Sequence, residues 1–188
     1  MIFKEFKRYL NEISALEFSE RDNEINHSAS QLKGEMNSRG ILISSITLQR
    51  LAEFFYSEYE ARSKFIRSFI VENIGKLDLK TLSDPITEAK TLFQAISEAE
   101  KIKLSGMYDA VSAQARSGLH NQSFQEQIDN ALFQKMDILL KKNNLYVEFE
   151  YKACTEAKSS DKDILFLTPN IQGIGVDLKE LWVRIFKT

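Results

Sequence analysis

The chain has 188 residues, with 25 Lys or Arg and 27 Asp or Glu, so its formal net charge is −2. Hydrophobic residues make up 43% and charged residues 28%, which is ordinary for a globular domain and excludes collagen-like or wholly disordered chains. Only seven glycines and two prolines interrupt the sequence, which favours long helices over many-stranded sandwiches or barrels. A near-neutral chain also lacks the basic field of a general nucleic-acid binder, so nucleic acid is a disfavoured partner.

Cysteine usage and the N-terminal segment indicate the compartment. Cys154 is the single cysteine, which excludes a disulfide framework and a multi-cysteine zinc site. The opening segment MIFKEFKRYLNEIS places charges among its apolar residues, unlike a signal peptide. No run approaches the ~18 consecutive apolar residues of a membrane span. The sequence therefore predicts a cytoplasmic protein with no membrane span.

The first forty residues give a mixed helical signal. Apolar residues at helical spacing predict a first helix from about residue 2 to the low twenties. Ser28 and Gln31 have the spacing of a capping box, but Gly34 and Gly40 each weaken a continuous helix by about 1 kcal/mol. For residues 26–40 we therefore expect a short helix, followed by a kink or break.

Two further helices have clear signals. From about residue 44 to 75, apolar side chains fall on one arc of the helical wheel and charged side chains on the opposite arc. Asp84 and Pro85 are typical of an N-cap and a first helical position, and they predict a third helix that ends near Gly118.

Ser123 and Glu126 form a capping-box pattern for a fourth helix that reaches about Lys142. Its main apolar arc comprises Phe124, Ile128, Ala131, Leu132, Ile138 and Leu139. Three more apolar residues, Phe133, Met136 and Leu140, extend this surface to another side. The pattern predicts a helix that is buried on two sides, with Phe133 as an interface candidate.

The C-terminal sequence changes period. Apolar residues alternate with polar ones from Leu145 to Tyr151, which predicts a half-buried strand. A short apolar run at residues 164–167 predicts a second strand, and a capped final helix follows it. This helix carries Trp182 and Phe186, which are interface candidates because large aromatic side chains are frequent at binding hot spots.

The fold expectation is a mainly α protein. An antiparallel bundle of long helices occupies residues 1–143, and a small β-β-α element at residues 144–188 packs on it to form one structural unit. A two-stranded ribbon is marginal alone, so this element needs the bundle or a partner to cover its apolar faces.

Motifs for chemistry are lacking. The sequence has no phosphate-binding loop, nucleophile elbow or zinc-protease motif, and Gly173 and Gly175 lack the third glycine of a dinucleotide site. His27 and His120 are the only histidines, and their polar neighbours predict solvated loop positions. The sequence therefore predicts no catalytic residue, no metal site and no cofactor, and it favours a protein that is not an enzyme.

Four charged residues fall on otherwise apolar helical arcs: Glu58, Arg62, Glu100 and Lys135. Arg62 and Glu100 lie at equal distances from the turn that joins the second and third helices, so an antiparallel hairpin brings them to one level. We predict an Arg62–Glu100 contact, with Glu58 as a second carboxylate for the guanidinium. These residues either form buried ion pairs that fix helix register or line an inter-helix polar pocket for a small ligand.

Two functions follow from these alternatives. The leading hypothesis is a non-enzymatic interaction or assembly protein that uses its long amphipathic helices for a protein partner or for self-association. The alternative is a ligand-responsive regulatory subunit or a minimal enzyme that uses the charged pocket. A dry ion pair favours the first, and a concave pocket lined by Glu58, Arg62 and Glu100 favours the second. The C-terminal element is also a candidate cover for the outer surface of the fourth helix.

Overall fold

A computed structural model describes residues 3–74, 84–117, 119 and 121–159 of the chain. Four long helices make up this part: α1 (Phe3–Ser38), α2 (Ser45–Ile74), α3 (Pro85–Arg116) and α4 (Gln122–Ser159). The residues described include no strand, and the mainly helical fold expected from the sequence is confirmed. Within these same ranges, every helix is too polar or too short in its apolar stretches to cross a membrane.

Successive helices are antiparallel, as in an up-down-up-down bundle. As the residue number of the contacting side chain rises along one helix, the number of its partner on the next helix falls. The contacts that show this are Phe6 with Phe69 and Phe18 with Phe65, then Phe55 with Tyr108 and Arg62 with Glu100, then Lys90 with Glu148 and Lys101 with Asp137. The closest backbone packing is between α2 and α3.

Buried side chains recur every 11 residues in each helix. Examples are Phe3, Ser14, Ile25 and Met36 in α1; Leu48, Tyr59 and Ile70 in α2; Phe93, Leu104 and Ala115 in α3; and Met136 with Val147 in α4. Eleven residues make three turns of about 3.67 residues, close to the 3.6 of an ordinary helix. Long straight helices can therefore keep one line of side chains in the core with little supercoiling.

Helix α1 is continuous from Phe3 to Ser38, so the end predicted for the first helix in the low twenties is wrong, and residues 26–38 extend that helix. Burial of side chains such as Ala29 and Met36 outweighs the helix-weakening effect of Gly34, because tertiary packing supplies most helical stability in proteins. The helix ends at Gly40, whose φ of 69° is the left-handed value of a Schellman motif. The Ile41 N–H accordingly donates to the Met36 carbonyl at 2.9 Å.

The starts of α3 and α4 are set by side-chain caps. The Asp84 carboxylate accepts the Thr87 N–H at 3.1 Å, which confirms the predicted N-cap of α3. At α4, the Asn121 side-chain oxygen accepts the Phe124 N–H at 3.1 Å. Asn121 is therefore the N-cap, and the capping box predicted at Ser123 is wrong.

Helix α4 continues through residues 145–151, so the predicted first strand is wrong. In a helix, residues four apart lie on the same face, so the alternating apolar residues of this segment form two pairs on different faces: Leu145 with Phe149, and Val147 with Tyr151. Here Val147 and Tyr151 are buried in the bundle, whereas Leu145 and Phe149 are exposed. The helix satisfies its backbone hydrogen bonds locally and buries one of these pairs.

The C-terminal element remains a prediction in its other parts. The boundary proposed after residue 143 falls within α4. The predicted second strand at residues 164–167 and the final helix with Trp182 and Phe186 lie outside the described residues.

Two leucines on opposite faces of α4 test its orientation. Leu140 is buried in the core and Leu145 is exposed. We expect Leu140→Ala to lower the free energy of unfolding by about 2–5 kcal/mol, and Leu145→Ala to change it by less than about 0.5 kcal/mol. Urea denaturation followed by circular dichroism measures both. Equal losses would contradict the orientation of α4.

Candidate functional site

Arg62 lies in the middle of α2 and is fully buried, with 0% of its side chain exposed. Each of its three guanidinium nitrogens donates to a different carboxylate. The three bonds are Nε to Glu58 Oε1 at 2.9 Å, Nη1 to Glu100 Oε2 at 2.5 Å and Nη2 to Asp22 Oδ1 at 2.8 Å. The predicted Arg62–Glu100 contact and the role of Glu58 as a second acceptor are confirmed. The Asp22 contact from α1 was not predicted.

Two outer cations complete this group. Arg21 donates to both carboxylate oxygens of Glu58, at 2.7 and 2.9 Å, and Lys103 pairs with Asp22. We call these six residues, Arg21, Asp22, Glu58, Arg62, Glu100 and Lys103, the charge cluster. It contains three positive and three negative groups, so it is neutral as a unit.

Hydrogen bonds favour the ionised forms of Asp22, Glu58 and Arg62 against the effect of burial. Burial alone raises the pKa of the Asp22 carboxyl, but bonds from Lys103 and Arg62 outweigh it and hold that pKa below its ordinary value. Burial likewise opposes ionisation of Glu58, and bonds from Arg21 and Arg62 lower its pKa. Burial lowers the pKa of Arg62, whereas its three carboxylates raise it, and the net shift is upward.

The charge cluster separates two hydrophobic clusters of the core. In α2, Ile66 and Ile70 belong to one of them, whereas Phe55 and Tyr59 belong to the other. Arg62 lies between these pairs. Because its acceptors come from three helices, its bonds fix α1, α2 and α3 at one level. The geometry is that of an internally satisfied ion-pair network with a fully buried centre, Arg62, and partly exposed outer cations, Arg21 and Lys103.

A second polar network joins the end of α3 to the start of α4. The Tyr108 hydroxyl donates to Asp129 at 2.8 Å, and Arg116 donates to the same carboxylate at 2.6 and 3.0 Å. Burial, together with the bond to Asp129, raises the pKa of the Tyr108 phenol. This network fixes the α3–α4 hairpin, and no motif or spacing in the sequence pointed to a contact between these residues.

Lys135 is not part of the charge cluster. It lies in an open groove of about 370 Å³ between α2 and α4, with its Nζ 5.8 Å from the centre of the Tyr56 ring. Glu58, Arg62 and Glu100 do not line this groove. Phe133 is partly buried against the core, so it is a bundle contact more than an exposed interface residue.

A row of side chains along the outside of α4 has the 4-3 spacing of a coiled-coil heptad. We call this row the outer seam: Phe124, Ile128, Ala131, Lys135, Ile138, Lys142, Leu145 and Phe149. Its N-terminal half lines the groove beside α2, and its C-terminal half is open. The row spans 25 residue steps, or about 37 Å of helix.

The outer seam turns away from the core along α4. A seven-residue repeat drifts by about 20° per heptad on an ordinary helix, whereas an 11-residue repeat drifts by about 20° in the opposite sense. The two rows therefore diverge towards the C-terminal end. Exposure rises accordingly, from 41% at Phe124 to 59% at Ile138, 65% at Leu145 and 66% at Phe149.

The remaining candidates for chemistry have ordinary surroundings. His27 is exposed on α1, where its Nε2 lies 2.8 Å from Gln31 Nε2, so the predicted loop position is wrong. His120 and the Cys154 side chain lie outside the described residues. Across the described ranges, His, Cys, Asp and Glu side chains form no group of three suited to a metal ion.

Removal of Arg62 should be costly. Arg62→Met leaves the cluster carboxylates without their central cation, so we expect a loss of about 3–5 kcal/mol in the free energy of unfolding. The double variant Arg62→Met, Glu100→Gln should recover part of this loss, since it removes one stranded charge. Arg8→Met is the matched control, because Arg8 pairs with Glu12 at the surface and its loss should cost about 1 kcal/mol or less. Additive effects in the double variant would argue against coupling.

The charge cluster should also make stability depend on pH in acid. Asp22 and Glu58 have lower pKa values in the folded chain than their ordinary values of 3.8 and 4.5, so the unfolded chain binds more protons in acid. Their contribution is present above pH 4.5 and is lost as the pH falls through the folded-state values. Urea titrations from neutral pH downwards should show a steeper decline for wild type than for the variant Asp22→Asn, Glu58→Gln. Identical declines would show that these carboxyls are not linked to folding.

Comparisons with protein-family models, with curated proteins and with solved structures give no match. A functional conclusion for this chain therefore depends on its own geometry: a neutral charge cluster that joins α1, α2 and α3, and the outer seam along α4.

Proposed function

We propose that this protein is a non-enzymatic assembly protein that binds another helix along the outer seam of α4. The observation that carries the proposal is the seam itself, a heptad row over nearly four heptads on a helix whose opposite face is already buried. Single exposed hydrophobic residues are common on protein surfaces, but a heptad repeat of this length is typical of coiled-coil pairing.

The distribution of exposed apolar residues supports the same function. Among the residues described, ten large hydrophobic side chains are exposed, and five of them are on α4: Phe124, Ile138, Leu145, Tyr146 and Phe149. This concentration forms one elongated surface, and elongated apolar surfaces often mark interfaces. The groove beside α2 supplies a second wall at the N-terminal end, as in helix-in-groove recognition.

The alternative of a ligand pocket at Glu58, Arg62 and Glu100 lacks comparable support. The three guanidinium nitrogens of Arg62 are already occupied by carboxylates, and Arg21 and Lys103 satisfy two of those carboxylates from outside. A ligand would have to displace these bonds and leave buried charges without partners.

Polar substitutions in the outer seam test this function. The probe is a fluorescent four-heptad peptide with leucine at its core positions and glutamine at two of them, seven residues apart. We expect wild type to bind it, and the variant Leu145→Ser, Phe149→Ser to bind at least about tenfold more weakly, because the two most exposed large apolar side chains of the seam are lost. Fluorescence anisotropy measures the affinity, and thermal melting should show unchanged stability.

The variant Leu16→Ser, Ile102→Ser is the matched control, because both residues are highly exposed on other helices. It should bind the probe as wild type does. Equal weakening in both variants, or no binding by the wild-type full chain of this probe or of versions with Glu or Lys at the two glutamine positions, would overturn the proposal. The second result is also expected if residues 160–188 cover the seam.

A further inference from the structure

The outer seam contains two positive charges at equivalent positions. Lys135 and Lys142 lie seven residues apart in the row, so both point towards a helix that packs along it. In the part of the chain that the structure describes, no carboxylate lies within 4 Å of either ammonium group. Nearby acidic residues on α4 already have partners, since Asp137 pairs with Lys101 and Glu148 pairs with Lys90.

Aromatic rings hold both lysines in place. The Nζ of Lys135 lies 5.8 Å from the centre of the Tyr56 ring, and that of Lys142 lies 5.9 Å from the centre of the Tyr146 ring. The guanidinium carbon of Arg67 also lies 5.0 Å from the centre of the Tyr146 ring, so a second positive charge lies near Lys142. Of the described residues that line the groove, Glu53 is the only acidic one, and it lies on the α2 wall.

A helix that covers the seam would remove water from both ammonium groups. Desolvation of a charge is costly unless an opposite charge replaces the water, so a neutral apolar partner would bind poorly at these two points. A second copy of α4 is also a poor partner. Parallel pairing would place each lysine opposite its counterpart, and antiparallel pairing would gather four lysines in the middle of the seam.

We propose, on the basis of the assembly function above, that the outer seam binds an acidic amphipathic helix from a different protein. Its heptad core carries two carboxylates seven residues apart, one facing Lys135 and the other facing Lys142. Apolar core residues on either side pack against Ile138 and Leu145. The two charge pairs fix the register of the partner helix, as single polar core positions do in coiled coils.

Three versions of the probe peptide test the charge requirement, with Glu, Gln or Lys at the two core positions. The full-length wild type should bind the Glu peptide about tenfold or more tightly than the Gln peptide, and the Lys peptide most weakly. Added salt should weaken binding of the Glu peptide more than that of the Gln peptide. The variant Lys135→Glu, Lys142→Glu should reverse this order and prefer the Lys peptide.

The control variant is Lys4→Glu, Lys7→Glu, which makes the same change in net charge at exposed positions of α1. It should keep the wild-type order. Equal affinity for the Glu and Gln peptides would overturn the acidic partner but leave the assembly function standing, whereas no binding of any peptide would overturn both. Tighter binding of a single-stranded oligonucleotide, or self-association that the variant Leu145→Ser, Phe149→Ser abolishes, would also overturn the acidic partner.

Discussion

The packing of three helices depends on one buried guanidinium. Arg62 has no exposed surface, so each of its nitrogens must find an acceptor inside the protein, and the acceptors come from α1, α2 and α3. A slip of either neighbouring helix by one turn would move Asp22 or Glu100 about 5 Å along its axis and leave buried charges unpaired. Apolar contacts alone tolerate such slips much better, because they are not directional.

Helix α4 is attached by a different kind of contact. It contributes no carboxylate to Arg62, and it is tied to α3 by ion pairs of Lys90 with Glu148 and Arg116 with Asp129. Its buried side chains, such as Met136 and Val147, fill the space above α2 and α3. These side chains do not fill the groove between α2 and α4. The packing that completes the core therefore also creates the surface proposed for binding.

Two repeats in α4 separate the core from the surface proposed for binding. The 11-residue repeat follows the core, and the heptad of the outer seam turns away from it, so few side chains serve both purposes. Leu145 and Phe149 can therefore be exposed without loss of core packing, and Lys135 and Lys142 are placed where they do not disturb it. In the proposed assembly, the helical seam is ordered before binding, which lowers the entropic cost of pairing with a partner helix.

Local patterns in the sequence determined much of this fold. The caps and apolar arcs of α2 and α3 depend only on neighbouring residues, and the short hairpin between these helices made the Arg62–Glu100 contact predictable. The same reasoning would have found Asp22. It lies 16 residues before the end of α1 at Ser38, and Arg62 lies 17 residues after the start of α2 at Ser45, so the antiparallel hairpin brings them to one level. It failed because the first helix was expected to end in the low twenties, which removed the register of α1 between Asp22 and Ser38.

Tertiary structure alone decided the path of α1 through Gly34 and the state of residues 145–151. A glycine weakens a helix locally, but burial of Ala29 and Met36 in the bundle outweighs that cost. The free energy of this burial depends on the other helices, so it cannot be read from the residues around Gly34. Alternation from Leu145 to Tyr151 fits a strand or a helix with two apolar faces. The bundle selects the helix, because it buries Val147 and Tyr151 while the helical backbone satisfies its own hydrogen bonds.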